Sequence, residues 1–163
     1  TIFGLPVREL HEASFRILFK GKEKKGMEVL ADEFIQEKFP IFLRESVAGR
    51  LKAAKARSEK VMILSNSPDF LVKRASHYFG VAEFVATEYE TDIDGRFYSV
   101  SKIIDGEAKL KAASHFPQEA TTAYSDSILD IKLLGWVRTP VVVCPDRKLK
   151  KVAFQKGWEV IWE

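Results

Sequence analysis

The chain reads as an α/β protein, a doubly wound parallel sheet preceded by a small helical subdomain, and three observations lead there. Short segments at 61–64, 121–124 and 140–143 read as strands, and the first is a continuous apolar run of the kind buried in parallel sheets. Each is followed by a polar turn and then a stretch with helical spacing, the alternation that builds parallel sheets with right-handed crossovers. Residues 8–57, in contrast, carry helical spacing throughout.

In that first segment Leu10, Ala13, Ile17 and Leu18, then Met27, Leu30, Phe34 and Ile35, then Leu43, Val47, Leu51 and Ala54 recur every three or four residues. Residues 21–26 and Pro40 separate the three helices. His11 has no metal-ligand spacing and reads as a surface or boundary histidine. The run 61–64 begins the sheet, and Ser67 as N-cap with Pro68 at the first helical position predicts a helix with Leu71, Ala75 and Tyr78 on its apolar stripe, closed by Gly80. A second strand follows at 84–87. Residues 89–99 alternate around Asp94-Gly95, the favoured pair of a two-residue hairpin turn. Asp105 caps a helix over 106–115 that carries Lys109, and Pro117 ends it. After the strand 121–124, Ser127 is the N-cap for apolar positions Ile128, Leu129, Ile131, Leu133 and Leu134. After the strand 140–143, Asp146 caps a helix over 147–155 that Gly157 stops, and 160–162 is a last short strand.

Bulk properties narrow the function classes. The 163 residues, 46% hydrophobic, suffice for one domain with a sizeable core. No window approaches the roughly 18 apolar residues of a spanning helix, and residues 1–4 do not resemble a signal peptide. A cytoplasmic protein is expected. Cys144 is the sole cysteine, which excludes an internal disulfide and any cysteine-rich metal cluster. The net charge of +3 is uneven: residues 1–60 hold 13 basic and 9 acidic side chains, a surplus that is either a solvated helix surface or a means of recruiting an anionic substrate or surface. Acids interleave with these bases and no stacking-aromatic motif accompanies them, so no nucleic acid partner is expected.

Candidate chemistry falls at carboxyl ends of strands or at helix starts: Ser65-Asn66, Lys109, and Asp126 with Asp130. In doubly wound sheets that edge is where ligands bind. A hydroxyl and backbone N–H groups at a helix start suit phosphate oxygens, and a lysine adds a point charge for them. Carboxylates suit Mg²⁺, which binds through one or two of them plus phosphate and water. Singly, Ser65 reads equally well as a turn residue, Lys109 as a surface charge and Asp126 as a helix cap.

As an ordered set these residues resemble the haloacid dehalogenase superfamily of phosphotransferases, in particular its phosphoserine-phosphatase-like branch. The second motif of that branch, an apolar strand ending in Ser or Thr, is matched by Val61-Met62-Ile63-Leu64-Ser65. Its third, a lysine near a helix start, is matched by Gly106-Glu107-Ala108-Lys109, and its fourth, Tyr-Ser-Asp-Ser-x-x-Asp, by residues 124–130, with an apolar strand and Pro145-Asp146 after it. The resemblance covers 58–163 and implies a HAD-like α/β core there, with 1–57 as a helical cap that screens the site and selects substrate. It implies a Mg²⁺-dependent phosphomonoester hydrolase acting through an aspartyl-phosphate on a small phosphorylated substrate: phosphoserine, a metabolite or a lipid phosphate. Asp126 would bind Mg²⁺ with Asp130 in support; Ser65 and Lys109 would hold the phosphoryl oxygens, beside Asn66.

The first motif, an apolar strand ending in Asp-x-Asp that carries the nucleophile, does not occur near the N-terminus. The Asp-x-Asp at 92–94 lies in the hairpin and reads as a turn. In the family that strand stands between those ending at Ser65 and Tyr124, so two edges would lack partners without it. The expectation is that the strand lies upstream of Thr1 and that residues 1–163 alone have little or no phosphatase activity. The alternative is a catalytically inert relative that binds a phosphorylated ligand or a partner.

Overall fold

The computed structural model describes residues 7–163; the reading of residues 1–4 as unlike a signal peptide lies outside them. The chain divides into two compact units, Thr1–Ile104 and Asp105–Glu163. The cap and core expected at 1–57 and 58–163 are a division by role, distinct from these two units. Among the described residues no helix is long and apolar enough to cross a membrane.

The first unit contains α1 (Val7–Leu18), α2 (Lys24–Glu37), a 3₁₀ turn (Phe39–Phe42), α3 (Glu45–Ala56), β1 (Met62–Pro68), α4 (Asp69–Phe79), β2 (Glu83–Thr91) and β3 (Phe97–Lys102). Strand order is β1-β2-β3, with β1 parallel to β2 and β3 antiparallel to it. Its core is aromatic. Phe15, Ala31, Phe70, Tyr89 and Phe97 are buried together, with Phe19, Met27, Leu71 and Val100 packed against them. The rings of Phe15 and Tyr89 stack at 5.3 Å, a geometry that adds roughly 0.5–1.5 kcal/mol beyond burial.

Three details differ from the expectation. On α1 and α2 the spacing gives the right period but several wrong positions: Ile17, Leu18, Leu30 and Phe34 are exposed, whereas Phe15, Ala31 and Ile35 are buried. The rows that meet β2, β3 and α4 decide which side faces inward. Second, β1 runs through Pro68, and Ser67 does not cap α4; Pro68 takes the cap position, with ψ of 140°. A residue before proline is steered away from helical angles, and the Ser67 N–H is taken by the Ser65 Oγ at 3.1 Å. Third, the hairpin closes with the Asp92 N–H donating to the Arg96 carbonyl at 2.8 Å, which leaves a three-residue loop instead of two. Gly95 takes the left-handed position at φ 75°, and the Asp92 carboxylate accepts from the Asp94 and Arg96 N–H groups. The Asp-x-Asp at 92–94 is therefore a turn, as read.

The second unit contains α5 (Gly106–Ala113), β4 (Thr122–Ser125), a 3₁₀ turn (Ile128–Asp130), α6 (Ile131–Trp136), β5 (Thr139–Val143), α7 (Arg147–Lys156) and β6 (Glu159–Ile161). β4, β5 and β6 are parallel in that order. Leu134, Val142, Leu149 and Ala153 form its fully buried core. The expected parallel pairing is thus present in both three-stranded ladders, with β3 as the antiparallel exception. The caps act where the sequence puts them: Asp105 accepts from the Ala108 N–H, Ser127 from Leu129, and Asp146 from Lys148 and Leu149. Gly80 and Gly157 end α4 and α7 in left-handed conformations.

α5 meets the 3₁₀ turn so closely at Gly106 that a Cβ there would stand 2.3 Å from the Leu129 carbonyl oxygen. Helix propensity alone would make Gly106→Ala stabilising by up to about 1 kcal/mol. The contact is with backbone next to Asp130, so the substitution is instead expected to destabilise by about 1–3 kcal/mol, measured by urea unfolding; a stabilised variant would show that the turn yields freely.

Candidate functional site

Ser65 and Asn66 lie within β1, both half-buried, in the first unit. The Ser65 hydroxyl is folded onto the Ser67 N–H, which orients its oxygen and leaves its proton available to donate. Four residues on, in the first turn of α4, stands a carboxyl that the sequence reading passed over. The Oδ1 of Asp69 is buried and takes no hydrogen bond from the described residues. Burial raises the pKa of this carboxyl, against the opposing effects of the Lys24 charge and the Phe70 N–H. Burial and the Asp69 charge also push the neighbouring Tyr89 hydroxyl up to about 12.

Lys109, Asp126 and Asp130 belong to the second unit, and the structure brings two of them into direct contact. Asp105 starts α5 so that Lys109 falls in its first turns, and its Nζ donates to the Asp130 Oδ1 at 2.8 Å and Oδ2 at 3.1 Å. Both residues are only 7% exposed. The Ser125 hydroxyl donates to the Asp130 Oδ2 at 2.7 Å, and the Ser127 N–H donates to the Ser125 Oγ at 3.1 Å. Asp130 therefore has its two oxygens engaged by an ammonium and a hydroxyl. An ammonium has three donors; two face Asp130, and the third is available to a ligand.

Asp126 follows the carboxyl end of β4 and is exposed. Its carbonyl accepts from the Asp146 N–H at 3.0 Å, while its carboxylate takes no hydrogen bond or ion pair from the described residues. Asp146 pins the same loop a second time, since its Oδ2 accepts from the Ile128 N–H at 2.8 Å. Burial pushes the Asp146 carboxyl up, but the N–H groups of Ile128, Leu149 and Lys148 together outweigh it and hold the pKa below the usual range. Sequence reading found Asp146 as the α7 cap and missed its hold on the acidic loop, as it missed Ser125 beneath Asp130. Tyr-Ser-Asp-Ser already contained Ser125, but only the folded loop aims its hydroxyl. Among the described residues no three His, Cys, Asp or Glu side chains group as a closed metal cage. One free carboxylate is a donor set that suits Mg²⁺, which keeps most of its waters.

Strand, loop and helix in repeated parallel units, with a buried lysine and aspartate beside a free carboxylate at a strand's carboxyl end, define a Rossmann-like α/β domain. The chain belongs to the haloacid dehalogenase-like hydrolase family, whose model matches residues 4–135. It is 31% identical over 114 residues to a histidinol-phosphatase of Neisseria meningitidis, covering 63% of this chain and 51% of that protein. It is 29% identical over 141 residues to a phosphoserine phosphatase of Mycobacterium tuberculosis, covering 82% and 44%. A phosphoserine phosphohydrolase-like protein of Francisella tularensis shares the fold with a TM-score of 0.71 at 16% identity, over 96% of this chain and 73% of that one. The chain spans about half the length of the curated relatives it matches.

Two stability measurements check this geometry. Lys109→Met leaves the Asp130 charge buried without its partner and is expected to cost about 3–5 kcal/mol in urea unfolding, with a smaller loss when Asp130→Leu is added; equal losses would show that the pair is not buried as a unit. Asp69 carries the opposite sign. Its folded pKa is raised above the unfolded value, so its ionisation costs stability once the pH rises through the unfolded carboxyl range near ~3.9. Asp69→Asn is expected to raise the melting temperature at neutral pH, an advantage that disappears in acid; a variant less stable at neutral pH would refute the assignment.

Proposed function

We propose that this chain is part of a Mg²⁺-dependent phosphomonoester hydrolase that works through an aspartyl-phosphate. The observation that carries the reading is the buried Lys109–Asp130 pair beside the free carboxylate of Asp126. In this reading Asp126 holds Mg²⁺, and Asp130, with both oxygens engaged, supports by orienting Lys109. Ser65 and the third Lys109 donor hold phosphoryl oxygens, with Asn66 beside them, and offset the charge that builds up in the transition state. The bound cation would polarise the phosphoryl group and draw off charge.

The attacking carboxylate comes, in this proposal, from an Asp-x-Asp strand expected upstream of Thr1. β1 and β4 each end their ladder with one side unpaired among the described residues, and such edges accept a further strand. A carboxylate oxygen would bond to phosphorus as the ester P–O bond breaks, and water would then release phosphate and restore the carboxylate. α1 to α3 are assigned the role of the cap at 1–57, over an α/β core at 58–163. The relatives' names favour a small phosphorylated metabolite, and a cytoplasmic location is part of the same reading.

Phosphate release from phosphoserine, histidinol phosphate and a lipid phosphate, with and without Mg²⁺, tests the reading. Residues 1–163 alone are expected at background, and robust turnover by them would overturn the placement of the nucleophile. Titration calorimetry with Mg²⁺ and a phosphate mimic is expected to give a heat that Asp126→Asn removes; an unchanged heat would reject the metal site.

A further inference from the structure

A helix cap needs one acceptor oxygen, and at Asp146 a single atom supplies it. The Oδ1 accepts from the Lys148 N–H at 2.8 Å and from the Leu149 N–H at 2.9 Å. Serine or asparagine caps a helix about as well as aspartate. Among these three only aspartate adds a second oxygen that can accept elsewhere, and Asp146 sends it 18 residues back along the chain, where the Oδ2 accepts from the Ile128 N–H at 2.8 Å. The Asp146 N–H donates to the Asp126 carbonyl at 3.0 Å. One residue thus grips the segment after β4 twice, and neither grip is part of capping α7.

Both grips fall on the two peptide groups that follow Asp126. The first, between Asp126 and Ser127, is held at its carbonyl by the Asp146 N–H and at its N–H by the Ser125 Oγ at 3.1 Å. The second is held at the Ile128 N–H by the Asp146 carboxylate. On the other side of Asp126, Ser125 pairs with Val142 in the β4–β5 ladder. These backbone positions set the direction of the Asp126 Cα–Cβ bond, while its carboxylate is exposed and takes no hydrogen bond or ion pair from the described residues. The side chain is therefore aimed by its backbone.

We propose that Asp146 is a positioning residue for the cation site: through its Oδ2 and its N–H it holds residues 126–128 so that the Asp126 carboxylate meets Mg²⁺ with little reordering. The inference rests on the reading of Asp126 as the Mg²⁺ carboxylate and adds the group that orients it. A ligand already in place loses less conformational freedom on binding. Removing a group that orients a metal ligand without touching the metal costs roughly 10- to 100-fold in affinity.

Calorimetric titration of residues 1–163 with Mg²⁺, together with amide hydrogen exchange, tests this. Asp146→Ser keeps a capping oxygen for α7, but that oxygen is one bond shorter and does not reach Ile128. Asp146→Asn has one acceptor oxygen and cannot serve both partners. Each should raise the Mg²⁺ dissociation constant about tenfold, and in Asp146→Ser the Ile128 amide should exchange faster while the Leu149 amide keeps its protection. Gly157→Ala is the control for general loosening. It strains the end of α7, where Gly157 has φ 65°, and should lower the melting temperature while leaving Mg²⁺ affinity unchanged. The proposal is overturned if the Asp146 variants bind Mg²⁺ as tightly as the parent, or if Gly157→Ala weakens binding as much as they do; both outcomes leave Asp126 as the ligand. A heat that is absent in the parent, or that survives Asp126→Asn, rejects the metal site itself and this inference with it, so the two failures are told apart.

Discussion

An ammonium and a carboxylate removed from water together govern the second unit. Lys109 and Asp130 are each almost fully buried, and neither could be so alone, because the cost of desolvating a single charge is several kilocalories. Their contact requires α5 to approach the 3₁₀ turn, and that approach requires a residue without a side chain at Gly106. Ser125 and Ser127 complete the arrangement by tying the end of β4 to the same carboxylate. A helix, a strand end and a turn are held in one register by a few polar atoms.

The loop carrying Asp126 is rigid for a related reason. Asp146 donates its N–H to the Asp126 carbonyl, accepts the Ile128 N–H, and caps α7. One residue thereby connects two successive strand-to-helix turns. The carboxylate of Asp126 is left exposed on a backbone held by these hydrogen bonds.

The first unit relies on rings instead of ions. Phe15, Phe70, Tyr89 and Phe97 come from α1, α4, β2 and β3, so a single aromatic cluster holds the helical segment to its sheet. The loop between α1 and α2 adds backbone bonds to β3, with the Lys22 carbonyl accepting from Phe97 and the Gly21 N–H donating to Phe97. Asp69 is the exception in this unit: an acid retained at a burial cost beside β1, which is a pattern more often tied to function than to stability.

Capping and stopping signals were legible in the sequence because they act within a few residues. As caps, Asp105, Ser127 and Asp146 bond N–H groups at most three positions away, and Gly80 and Gly157 need only their own backbone angles. The strand and helix alternation that defines the fold class is local in the same sense, as was the order of Ser65, Lys109, Asp126 and Asp130. The tertiary structure alone decided that Phe15 and not Ile17 faces inward, that Lys109 meets Asp130, and that Phe42 faces outward. Those outcomes depend on which distant surfaces come within van der Waals or hydrogen-bond range, and that distance is a property of the packed chain.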